Sequence, residues 1–225
     1  MKKEADGIPS ARAQEKIRLT DLRDEEILQA AFQIFTEKGF HGATMLAVAN
    51  RARASKATIY ARFQDKNRLF HALLDWGCRQ TMADLQHIAE DPSRSPDQAL
   101  CDFASKLLTS MAAPSAIGLL RIAIAEGVRQ PEVGLIYNSL TRDVVINQLR
   151  ILMERLQRAG IVAIDDPAEF GRSLIGLLRG DAINQALLGA SPPPDPIELE
   201  RSAHQAMSRL LRAFAPHRKT ETDLT

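Results

Sequence analysis

"RARASKATIYARFQDK", residues 51–66, is the stretch that decides how the chain is read. It carries Arg51, Arg53, Lys56, Arg62 and Lys66 against one acid, Asp65, in a chain of formal net charge +1. Small residues separate the cations, with Ser55, Thr58 and Tyr60 among them. Ser55 is placed to open a short helix as its N-cap, with Ile59 and Phe63 inside it. Just upstream, Thr44 is placed to cap another, with Val48, Ala49 and Ala52 inside. Two short helices joined by a tight turn, the second one basic, form the pattern of a helix-turn-helix. If Ile59 and Phe63 anchor the second helix, Lys56, Ala57, Thr58, Tyr60, Ala61 and Arg62 are left around its open side. Small residues there let a helix backbone sit deep in a major groove. Lys56 suits guanine O6 or N7. The Thr58 and Tyr60 hydroxyls suit phosphate oxygens. Arg62 and Lys66 supply charge to flanking phosphates. Thr44 adds a hydroxyl and helix N-terminal N–H groups for another phosphate.

Working outward, the spacing is helical almost to the end. Ile27, Ala30, Ala31, Ile34 and Phe35 recur on one helical face. Gly39 is expected to stop that helix as a left-handed C-cap. A fourth helix begins near Asp65 and runs through Leu69, Phe70, Leu73 and Trp76. Later starts place a proline behind a capping or polar residue: Ser95-Pro96, Gln130-Pro131, Asp166-Pro167 and Asp195-Pro196. Ala159-Gly160 and Leu188-Gly189 are stops, and "PPPDP" at 192–196 is a rigid corner. About five helices are expected after the fourth. "GIVAID" at 160–165 is the nearest approach to a strand, and it is short. The fold class expected is therefore all-α: a three-helix domain with a helix-turn-helix, then a larger helical domain. The expected organisation is a flexible polar arm at 1–20, the helix-turn-helix domain at 21–68, a helical domain at 69–214 and a flexible tail at 215–225.

Composition agrees with an ordinary globular chain. Its 225 residues are 45% hydrophobic and 25% charged, enough to bury a real core. Two separated cysteines, Cys78 and Cys101, make neither a disulfide framework nor a zinc site. No apolar run of about 18 residues appears, and the N-terminus lacks a secretory core, so a cytoplasmic protein with no membrane partner is expected. The five histidines show no metal-binding spacing, and no nucleophile elbow or phosphate loop is present. No catalytic site, metal or cofactor is expected.

Residues 27–74, "ILQAAFQIFTEKGFHGATMLAVANRARASKATIYARFQDKNRLFHALL", resemble the DNA-binding domain of the TetR family of transcriptional regulators. The likeness rests on A-A-x-x-x-F before a Gly-aromatic pair, a Thr opening the second helix, and S-K-x-T-I-Y-x-x-F-x-x-K-x-x-L. The resemblance implies a homodimeric all-α regulator with a C-terminal domain that senses a small molecule. It carries DNA contact onto Thr44, Lys56, Ala57, Thr58, Tyr60, Arg62 and Lys66. The chain departs from the family at the turn, where Arg53-Ala54 replaces Gly-Val, and at Ala57, which replaces Gly. Arg53 in a left-handed turn is either strained or an added phosphate contact. The Ala57 methyl suits a thymine methyl.

The second domain resembles the family in layout, around "GLLRIAIAEGVRQPEVGLIYNSL" and "DDPAEFGRSLIGLLRGDAI". Trp76, Phe103, Leu107, Met111, Leu120, Ile124, Tyr137 and Asn138 are the candidate lining of a cavity for a small apolar effector, Tyr137 and Asn138 being its polar anchors. Phe170, Leu174, Leu177 and Leu178 form one apolar stripe. Leu199, Ala203, Ala206, Leu210 and Phe214 form another. These stripes face either the subunit's own core or a four-helix dimer interface, and the family layout favours the interface. The function expected is a ligand-responsive homodimeric repressor on a palindromic double-stranded operator. The alternative is the same fold acting as an activator or through protein partners.

Overall fold

The computed structural model describes residues 11–192 and 194–216, with side chains from Leu22 onward. Among these residues the chain forms ten helices and no strand. They are α1 (Ala11–Gly42), α2 (Met45–Arg51), α3 (Lys56–Phe63), α4 (Lys66–Glu90), α5 (Pro96–Ala112), α6 (Pro114–Gly127), α7 (Pro131–Leu140), α8 (Arg142–Arg158), α9 (Pro167–Leu188) and α10 (Pro196–Ala213). Of the expected arm, residues 1–10 lie outside the described residues, whereas 11–20 are the opening turns of α1. That segment, "ARAQEKIRLT", contains neither Gly nor Pro to interrupt a helix. Of the expected tail, residues 217–225 lie outside the described residues. The chain divides into two compact units, one ending at Trp76 and one starting at Gly77.

The first unit is built on α1, α2, α3 and the start of α4. Ile27, Ala31, Phe35, Phe40, Ile59, Leu69 and Phe70 are fully buried. Phe35 stacks on Phe40 at 5.5 Å, and both meet Phe70 edge-on at 5.6 and 5.4 Å. Leu69, Phe70, Leu73 and Leu74 close this core from α4, which is why the division falls at Trp76 and not near residue 68. Gly39 breaks α1 as expected, at φ 67°, which glycine tolerates best; its ψ of 171° is extended and not helical. Thr44 accepts the Ala47 N–H at 3.1 Å and Ser55 the Thr58 N–H at 3.0 Å, so both N-caps form where the spacing placed them.

The second unit packs α5, α8, α9 and α10 around Leu100, Phe103, Leu149, Leu152, Phe170, Leu174 and Leu210. Asp166 and Asp195 cap α9 and α10 through the Ala168 and Glu198 N–H groups, both at 2.8 Å. Gly189 closes α9 in the left-handed region at φ 73°. Six helices follow α4, one more than expected. The start of α6 escaped because Ala113 precedes Pro114, and alanine offers no capping oxygen. The α7–α8 break escaped because Thr141 looks like any helical residue; there both its N–H and its hydroxyl donate to the Tyr137 carbonyl, at 3.1 and 2.6 Å. "GIVAID" forms no strand: it opens in a turn at Gly160, buries Val162 and Ile164, and sends the Ala163 N–H to the Phe214 carbonyl at 2.8 Å.

Candidate nucleic-acid interface

The α2–α3 segment is held by its backbone. The Ala54 N–H donates to the Ala49 carbonyl at 2.9 Å and the Arg53 N–H to that of Asn50 at 3.2 Å. This pair of bonds is the Schellman closure of a helix, and it requires a positive φ at the residue after the cap. Arg53 supplies it at φ 49°. Arg23 of α1 pins the turn, donating from Nη2 to the Arg53 carbonyl at 3.0 Å. Ser55 then starts α3, and its hydroxyl meets the Thr58 hydroxyl at 2.7 Å.

On α3, Ile59 and Phe63 are buried, as their spacing predicts. The helix therefore turns Lys56, Ala57, Tyr60 and Ala61 outward, with Thr58 and Arg62 half-buried at the margin. The Lys56 ammonium lies 5.6 Å from the Tyr60 ring centre, one helical turn away. Thr44 is exposed at the start of α2.

The five cations of residues 51–66 have unequal positions. Arg51 forks onto Glu37 through bonds of 2.9 and 2.8 Å and reaches Gln33 at 3.0 Å. The hydrogen bond from Arg51 holds the Glu37 carboxyl below its ordinary range. Arg62 pairs with Asp24 of α1. Lys66 gives its ammonium to the carbonyls of Phe40, His41 and Ala43 at 2.7, 3.2 and 3.2 Å, and lies 4.6 Å from the Phe40 ring centre. It thus satisfies carbonyls at the end of α1. Arg62 and Lys66, expected from the sequence as phosphate contacts, have partners inside the first unit. Lys56 and Arg53 are exposed.

The expected effector residues have unequal positions. Phe103 and Leu107 belong to the second unit's core, and Met111 packs on it. Leu120 is half-buried, Ile124 is 58% exposed and Asn138 is exposed. Trp76 is half-buried at the end of the first unit. Tyr137 is half-buried, and desolvation pushes its hydroxyl up to about 12, so it stays a neutral donor. Arg179 of α9, which the sequence reading did not single out, lies close enough to Tyr137 to act on it electrostatically. The Arg179 Nε is buried without a hydrogen-bond acceptor among the described residues.

The stripes on α9 and α10 need a correction. Phe170, Leu174, Leu178, Leu199, Ala203, Ala206 and Leu210 are buried within the second unit itself. They build that unit's own core, and Leu178, Leu199 and Ala206 also line the floor of a groove on its surface. Leu177 and Phe214 are half-buried, and the Phe214 ring meets Phe170 edge-on at 5.0 Å. Between the outer faces of α9 and α10 lies an open groove of about 850 Å³, lined by Leu177, Ala182, Ser202, Gln205 and Arg209 among others.

Comparison with known proteins agrees with both units. Residues 27–73 match the profile of bacterial regulatory proteins, tetR family, and residues 98–216 that of the AefR-like transcriptional repressor, C-terminal domain. The transcriptional regulator UidR of Escherichia coli strain K12 is 30% identical over 112 residues, 48% of this chain and 53% of its own. The chain spans 25% to 53% of the length of the curated relatives it matches. A TetR-family regulator from Mesorhizobium loti superposes with a TM-score of 0.73 at 26% identity, covering 87% of this chain and 98% of its own. The flavonoid-responsive regulator FrrA superposes with a TM-score of 0.69 at 27% identity, covering 88% and 100%. With a capped helix-turn-helix that matches one family profile and a helical C-terminal unit that matches another of the same family, this chain belongs to the TetR family of DNA-binding transcriptional regulators.

Proposed function

We propose that the protein is a cytoplasmic, homodimeric repressor that reads a palindromic operator with α3 and is released by a small, largely apolar effector. One observation carries the reading: α3 buries Ile59 and Phe63 and turns Lys56, Ala57, Tyr60 and Ala61 to solvent. That outward stripe combines a donor for base edges, two methyl groups and a phenolic hydroxyl on a helix slim enough for the major groove. Thr44 adds a helix N-terminus for a phosphate. The match of residues 98–216 to a repressor's C-terminal domain supports repression. The likeness to a flavonoid-responsive regulator supports release by a small molecule. Tyr137 and the Arg179 Nε offer that molecule hydrogen bonds within the second unit. The effector must bind the two conformations unequally to shift operator occupancy. In the dimer, the groove face of α9 and α10 meets its symmetry mate.

The test is anisotropy against labelled duplexes selected from genomic DNA for tight binding, with a scrambled duplex as control. Wild type prefers its selected duplex. Lys56→Ala and Tyr60→Ala each lower that preference by about tenfold or more while leaving the thermal midpoint unchanged. Equal binding of selected and scrambled duplexes by wild type sinks the reading.

A further inference from the structure

Arg53 occupies a backbone position that suits glycine. The Schellman closure of α2 uses only main-chain groups: the Ala54 and Arg53 N–H groups and the Ala49 and Asn50 carbonyls. Glycine at the φ 49° position makes the same bonds without steric conflict between Cβ and the backbone. The Arg53 side chain therefore contributes nothing to the turn that holds it and strains it. It is also exposed, at the turn immediately before the N-cap of α3. Its carbonyl is pinned by Arg23, so the turn projects the side chain from a fixed base. Three neighbouring cations, Arg51, Arg62 and Lys66, have carboxylate or carbonyl partners within the unit. A strained residue that adds only charge next to a reading helix points to a use for that charge.

We propose that Arg53 is a phosphate anchor: its guanidinium binds the DNA backbone beside the base pairs that α3 reads. This rests on the DNA-binding reading above and decides between the two roles that the departure from the family pattern leaves open at Arg53. A phosphate contact is independent of sequence, so it strengthens binding to any duplex and carries a salt dependence.

The experiment uses the full chain and a fluorescein-labelled 40-bp mixed-sequence duplex, titrated by anisotropy over a salt series, with thermal melts alongside. Arg53→Gly is expected to raise the melting temperature by about 2–4 °C. It is also expected to weaken binding about tenfold at low salt. The log–log salt slope becomes shallower by about 0.9 for each subunit bound. Arg53→Lys keeps most of the affinity and the slope. Gln64→Gly is the matched control, since Gln64 is the other described non-glycine residue with positive φ, at 60°, and carries no charge. It is expected to raise the melting temperature and leave the slope alone. If Arg53→Gly stabilises the protein but leaves affinity and slope unchanged, the anchor is wrong and the arginine is merely tolerated. If it lowers stability, or weakens binding with no change of slope, the side chain acts on the turn and not on phosphate, and the proposal also fails. If wild type does not bind the duplex even at low salt, the DNA-binding reading itself falls, and with it the anchor.

Discussion

Arg51 and Arg53 stand two positions apart in one basic window and serve different ends. Arg51 is spent on Glu37, whose ordering partner lies one helix away. Arg53 is left exposed on a backbone conformation that costs a non-glycine residue about 1–2 kcal/mol. Composition counts them alike. What separates them is whether a carboxylate stands within reach, and that is set by contacts 14 or more residues away in sequence. Asp91 makes the same point for a loop. Its carboxylate accepts the Ser93 hydroxyl and N–H at 2.6 and 2.9 Å and Arg94 Nε at 2.9 Å. Those bonds, the Ser93 hydroxyl first, hold its carboxyl down at about 2. A depressed carboxyl stabilises the fold above its unfolded value of about 4, and that contribution is lost as pH falls toward 2. The melting temperature of the second unit is therefore expected to decline between about pH 4 and pH 2. Asp91→Ala removes part of that decline; an unchanged acid limb in the variant refutes this role for the loop.

Two glycines on α9 do different jobs at the helix level. A Cβ built on Gly171 comes within 2.9 Å of Ile146 Cγ1 on α8, whereas one built on Gly176 meets nothing within 4 Å. The close approach of α8 and α9 depends on the first and not on the second. Gly171→Ala is expected to destabilise by about 1–3 kcal/mol through overpacking. Gly176→Ala is expected to be neutral or to stabilise by up to about 1 kcal/mol through helix propensity. Urea denaturation of the pair checks the contrast, and equal effects contradict it. Helix starts follow a similar division. Asp166 and Asp195 are legible in sequence because a capping oxygen acts on N–H groups two or three residues away. Arg121, which closes the end of α9 by donating to the Leu187 carbonyl at 2.8 Å, is not legible, because its target is 66 residues distant. Arg155 is likewise invisible in sequence, though its guanidinium reaches the carbonyls of Ala89 and Arg94 at 2.8 and 2.6 Å and ties α8 to the α4–α5 connection.

For the assembled protein, the proposed function assigns subunit pairing to the groove face of α9 and α10. Gln205 lies on it, exposed, one turn before Arg209. Gln205→Arg places a longer, charged side chain beside Arg209 on that face without touching the unit's core. Sedimentation is expected to show the variant as a monomer, with operator affinity reduced at least tenfold, because each half-site is then bound alone. A variant that remains dimeric moves the interface elsewhere. No single described helix is long and apolar enough to cross a membrane.

The amino-acid sequence alone was enough for the all-α class, the helix-turn-helix and its two caps, and the outward stripe on α3. Each of these rests on interactions within a few residues: hydroxyl to N–H, Ile59 to Phe63, glycine to its own φ. Contacts between distant segments settled the rest. Periodicity reports that a helix face is buried but not against what, so Phe170, Leu174 and Leu210 read equally well as interface or core until the packing enclosed them. Charge clustering reports that cations are near one another but not which are paired. Only the approach of Asp24, Glu37 and the carbonyls at the end of α1 separates the cations that build the first unit from Arg53 and Lys56, which face solvent.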